Sequence, residues 1–116
     1  MISVNLPLRT KNPTNNREHW RTVHTRSKKE RGTAYMLVKS KLNAAPLFYP
    51  PYIQIRLTRL SSGELDDDNL RAALKSVRDG VADAFGMDDA KNSKLKFEYA
   101  QEKCKRGAYC VRIEIE

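Results

Sequence analysis

"LDDDNLRAALKSVRDGVADAFG" (residues 65–86) sets three consecutive aspartates in front of Leu70, Ala73, Leu74, Val77, Val81 and Phe85. Apolar residues recurring at i, i+3, i+4 and i+7 predict one amphipathic helix, and Gly86 suits its left-handed stop. An aspartate at the N-cap contributes about 1 kcal/mol, and acids in the first turn add roughly 0.3 to 1 kcal/mol each through the helix dipole. Carboxylates about 5 Å apart repel by about 1 kcal/mol in water and roughly 3 kcal/mol at an effective dielectric of 20, so stacked acids offset what capping supplies. A bound cation would reverse that sign. If residues 65–68 are an extended lead-in, Asp66 and Asp68 point to one side and Asp67 to the other. Lys75 lies two helical turns beyond Asp68, opposite the apolar stripe, and its side chain would lean back towards the carboxylates.

Working outward, "YIQIRLTRL" (52–60) alternates Ile53, Ile55 and Leu57 against Gln54, Arg56 and Thr58, the period of a half-buried strand. "LKFEYAQ" (95–101) and "AYCVRIEIE" (108–116) alternate on either side of "KCKRG" and predict a terminal hairpin with Gly107 in its turn. "ISVNLPL" (2–8) suits a short first strand. A helix is expected from about Thr25 to Leu42, with Ala34, Leu37, Val38 and Leu42 near helical spacing and Gly32 as its weak point. "NAAPLFYPPY" (43–52) ends it. The order is β, α, β, α, β, β over one domain of 116 residues. The expected class is α+β: a mixed or antiparallel sheet with its helices packed on one face.

Charge is divided along the chain. Residues 64–89 hold eight acids and three bases, net −5, while the rest carries 19 bases and six acids, so the whole is +8. Such a basic body is the electrostatic footprint of a nucleic-acid binder. Residues 9–31 contribute eight of the bases with Trp20, which is expected in the core, stacking on a nucleic-acid base being the alternative. No run approaches the roughly 20 apolar residues of a membrane span, and the first residues lack a signal-peptide core, so a cytoplasmic protein is expected. Cys104 and Cys110 are expected to stay as thiols there.

The carboxylates define the candidate site. Hard oxygen ligands without His or Cys select Mg2+, with Mn2+ as a substitute, and Asp88 and Asp89 would complete the set if the chain packs back after the helix. His19, His24, Cys104 and Cys110 match no compact zinc module. An EF-hand frame from Asp66 fails because Arg71 stands where glycine is required. Asp89-x-Lys91 matches the tail of the D…(D/E)xK nuclease pattern, but a long helix between the acids argues against that fold.

The arrangement Asp66-x-Asp68-Asn69-Leu70, a helix with Lys75 and Asp79-Gly80, and then Asp88-Asp89 resembles the RusA family of Holliday-junction resolvases. "NPTNNREHW" (12–20) is similar to the Pro and Asn-rich segment of that family. The resemblance implies a homodimeric, Mg2+-dependent endodeoxyribonuclease of bacteria and prophages that nicks four-way junctions symmetrically in recombination and repair. It implies Asp66, Asp68 and Asp89 as catalytic metal ligands, with Asp88 beside them. The best-known members of that family carry a lysine four residues after the second aspartate, where this chain has Ala72; Lys75 is its candidate replacement. Asn15, Asn16, Arg17, Arg21, Lys28, Lys29 and Arg71 form the expected DNA-contacting set.

Overall fold

Ile53, Ile55 and Leu57 fall on one side of their strand and are at most 4% exposed, which makes that strand the floor of the core. It belongs to a computed structural model that describes residues 2–10, 20–44, 53–86 and 94–116. The elements are β1 (Ile2–Leu6), α1 (Trp20–Ala44), β2 (Ile53–Ser61), α2 (Asp67–Phe85), β3 (Leu95–Lys103) and β4 (Cys110–Ile115). Their order is the expected one. The sheet runs β1-β4-β2-β3, with β2 parallel to β3 and antiparallel to β4, and β4 antiparallel to β1. This is a mixed α+β sheet. Val4, Leu6, Ile55, Leu57, Val111, Ile113 and Ile115 share one face and join Ala34, Val38, Leu70, Leu74, Val77 and Val81 in a single apolar cluster. Full burial of each such side chain stabilises by roughly 1.5 to 3 kcal/mol. The opposite face carries Asn5, Gln54, Arg56, Lys96, Glu98 and Glu114.

The expected terminal hairpin does not form. β3 and β4 lie on either side of β2, because α2 carries the chain back along the sheet and β3 restarts beside the beginning of β2, with Ile53 opposite Leu95. That is a βαβ crossover, and it makes β2 and β3 parallel neighbours. The segment 104–109 then steps over β2, about 10 Å or two strand spacings, which a two-residue turn does not span. Gly107 does occupy a turn at φ 93°, beside the bond from the Ala108 amide to the Lys105 carbonyl at 3.0 Å. The same spacing keeps Cys104 and Cys110 from bonding to each other, since disulfides need Cα atoms within about 7 Å; both are free thiols.

α1 begins at Trp20, about five residues before the expected start, and continues past Leu42 to Ala44. Its first turns have no apolar periodicity to announce them. Gly32 is accommodated on the exposed side. α1 packs against α2 where Arg31 faces Asp83 and Ala34 faces Gly80, so the two helices run antiparallel. Arg31 grips Asp83 through Nε at 2.6 Å and Nη2 at 2.9 Å, which holds the Asp83 carboxyl below its usual range.

Glu30 occupies the buried stripe of α1 with Ala34 and Val38 and is 5% exposed. Burial pushes its carboxyl up to about 7, and Arg26 at 3.7 Å offsets only part of that. An acid whose folded pKa is raised favours the folded state while protonated. Stability from this group therefore falls as pH rises from about 4.5 through 7, and the full penalty remains above 7. Glu30→Gln should raise unfolding free energy by roughly 1 to 3 kcal/mol at pH 8 and leave it nearly unchanged at pH 4. Urea titrations at the two pH values check this; an equal effect at both would contradict it.

Candidate functional site

The start of α2 is built by a cap and a clamp. Asp66 is extended at φ −70° and ψ 169°, and its Oδ1 accepts the Asn69 amide at 2.9 Å. Gln101 of β3 fixes the residue before it, accepting the Leu65 amide at 3.0 Å and donating to the Leu65 carbonyl at 2.7 Å. Asp67 and Asp68 are the first two residues of the helix. The extended lead-in thus ends at Asp66, and the expected alternation that would aim Asp66 and Asp68 to one side does not occur. Successive helical residues are about 100° apart, and positions i and i+2 do not face each other. All three aspartates are exposed.

Lys75 does not lean back towards them. Its Nζ donates to Asp79 Oδ2 at 3.1 Å, one turn in the other direction. Arg71 lies over the Tyr99 ring at 5.5 Å, and Arg78 donates to the Tyr99 hydroxyl at 2.9 Å, so both pack along the β3 side of α2. Trp20 is 66% exposed rather than in the core, with Arg21 over its ring at 5.2 Å. Lys28 and Lys29 are exposed on α1. Asn15, Asn16, Arg17, Asp88 and Asp89 lie outside the described residues.

The candidate residues divide between two poles. Leu6 pairs with Val111, Leu60 with Cys110 and Ser61 with Lys103, so β1, β2 and β3 all end at the pole that bears Asp66, Asp67 and Asp68. Gly86 lies at the other end of α2, about 28 Å away for its 19 residues. Lys94 is at that far pole too, where its carbonyl accepts the Ile53 amide at 2.9 Å. Along the helix Asp68 and Gly86 are thus about 27 Å apart, against roughly 12 Å between the Cα atoms of two aspartates sharing one Mg2+. Of the set expected from sequence, the described residues hold Asp66 and Asp68, while Asp88 and Asp89 follow Gly86 outside them. Among the described residues no three His, Cys, Asp or Glu side chains are gathered as a metal site. Arg21, Lys28 and Lys29 precede Arg31 on α1 and, by the antiparallel packing, lie towards the Gly86 end.

Sequence reasoning missed two residues at the aspartate pole. Gln101 sets the loop before Asp66, and Arg59, 8% exposed, donates to the Gly63 carbonyl of that loop. Both stand on the apolar phase of their strands, which is the signal that would have found them. A depression of about 330 Å3 lined by Gln54, Arg56, Glu98, Glu114 and Glu116 lies on the face away from the helices and touches none of these groups.

No family model matches the sequence. No solved structure matches it. An uncharacterized protein of Xylella fastidiosa (strain Temecula1 / ATCC 700964) is 35% identical over 102 residues, covering 77% of this chain. The chain spans 61% of that relative's length.

Proposed function

We propose that the protein is a Mg2+-dependent endodeoxyribonuclease of the RusA type, acting on four-way junction DNA as a homodimer. The observation that carries the reading is the separation of its acids: Asp66, Asp67 and Asp68 crowd one end of α2, while Asp88 and Asp89 are tethered beyond the other. A two-fold partner running antiparallel would bring each chain's Asp66 and Asp68 to the other chain's Asp89, forming two like sites for two like incisions. Arg21, Lys28 and Lys29 of the partner would then flank each site, and their charge would grip the junction arms.

The donor set suits a hard cation. Asp66 spends one oxygen on its cap, and among the described residues Asp67 and Asp68 have no cationic partner. Mg2+ held there would activate water and neutralise charge building on the phosphodiester. Asp66 and Asp68 would hold it with the partner's Asp89. Lys75 is held by Asp79, so it would touch a phosphate only by exchanging that partner.

One further observation favours a second reading. The bond from Asn69 to Asp66 is a complete N-cap, as expected of a non-catalytic basic nucleic-acid-binding protein whose acids only stabilise α2. End-labelled four-way junction incubated with the protein and Mg2+ separates the two. Paired symmetric nicks are expected; binding without cleavage at any Mg2+ or Mn2+ concentration leaves the capping reading.

A further inference from the structure

The pole that bears the aspartates also gathers cations from two loops and the end of a strand. Arg59, near the end of β2, reaches only neutral oxygens: Nε donates to Thr10 Oγ1 at 3.2 Å, Nη1 to the Gly63 carbonyl at 3.1 Å and Nη2 to the Thr10 carbonyl at 3.5 Å. Arg9, in the loop after β1, stacks over the Tyr109 ring at 4.7 Å. The Tyr109 hydroxyl lies 3.3 Å from Ser62 Oγ, and exposed Arg106 stands three residues before Tyr109, on the turn that holds Gly107. Burial first, and the Arg9 charge second, push the Arg59 guanidinium below its ordinary value. Among the described residues no carboxylate pairs with Arg9, Arg59 or Arg106.

A guanidinium taken out of water without a counter-charge is costly, and a second cation beside it adds to the cost. An anion lowers both, and the planar fork of arginine matches phosphate oxygens. A purely structural tie accounts for the three bonds of Arg59 to Thr10 and Gly63. It does not account for Arg9 stacking on Tyr109, with Arg106 on the adjoining turn and no acid paired to either. Ser62 and Gly63 stand on the loop that leads into Asp66, so the cations and the aspartates share one connection.

We propose that Arg9, Arg59 and Arg106, with Tyr109 as their platform, form a subsite for a backbone phosphate of nucleic acid beside Asp66–Asp68. Its placement next to a cleavage site rests on the nuclease reading; its binding of phosphate does not. The test measures the affinity of the full chain for four-way junction DNA in Ca2+ over a range of salt. Arg9→Gln/Arg106→Gln is compared with Arg56→Gln/Arg112→Gln, which removes the same charge from the bare sheet face. The first pair should weaken binding about tenfold or more at low salt and reduce the log–log salt slope by about two, at roughly 0.9 per phosphate. The control should keep its slope. Equal slopes for both pairs would overturn the subsite. So would protection of the wild type alone by inorganic phosphate at fixed ionic strength with no change in the DNA slope, which would mark a site for a small phosphate ligand. If Mg2+ yields no nicks while the slope still falls, the nuclease reading fails and the subsite stands; nicking with an unchanged slope removes only the subsite.

Discussion

Asp68→Asn should lower junction cleavage by about three orders of magnitude or more, some 4 kcal/mol of transition-state stabilisation, while affinity measured in Ca2+ changes little. Asp68 is the informative position because it bears no capping bond. Its amide leaves the helix start intact, and the lost dipole interaction is worth only about 0.3 to 1 kcal/mol. Asp66→Asn keeps a good N-cap and removes the charge, so it should follow Asp68→Asn in cleavage with almost no change in melting temperature. If the acids served α2 alone, both variants would bind as wild type and neither would show a cleavage defect. Single-turnover cleavage of labelled junction beside a thermal melt reads both effects together.

Gly80→Ala should be the most damaging small substitution in the core. A β-carbon there would press on the Arg31 carbonyl oxygen and stand 2.8 Å from the Ala34 β-carbon, so α1 and α2 would have to separate. Overpacking of this kind costs about 1 to 3 kcal/mol, partly offset by about 1 kcal/mol of helix propensity. Gly80→Val adds a further branch to the same clash and should exceed it. Gly32→Ala is the control: nothing lies within 4 Å of its added carbon, and it should stabilise by roughly 0.5 to 1 kcal/mol. Thermal melts with opposite shifts at the two glycines check the packing; equal shifts would place the helix contact elsewhere.

The parts of the fold that sequence revealed are those set by one element's own period. The apolar spacing of Leu70, Leu74, Val77 and Val81 and the stop at Gly86, which sits at φ 69°, were enough to fix α2. Alternation in β2, β3 and β4 gave their inner faces but carries no information about partners, so the place of β2 between β3 and β4 was hidden. The early start of α1 at Trp20 was hidden because its first turns carry only Trp20 and Val23 as apolar residues, too few to mark a helical stripe. At the site, the cap on Asp66 was legible from its position before the helix. Arg59 and Gln101 stand on the inward phase of their strands, where polar residues demand partners. The distance between the two ends of α2 was also legible in principle, since 19 helical residues rise about 28 Å.

Joining acids across two chains is the central claim, and mixing two inactive variants tests it most directly. Asp68→Asn and Asp89→Asn proteins, each inactive alone, are unfolded together, refolded and offered labelled junction with Mg2+. In a shared-site dimer, each mixed pair keeps one complete site, made of Asp66 and Asp68 from one chain and Asp89 from the other, so single-strand nicks should return without paired incision. If every site were built within one chain, both sites of the mixed pair would be broken, and a mixture as silent as its components would contradict the account.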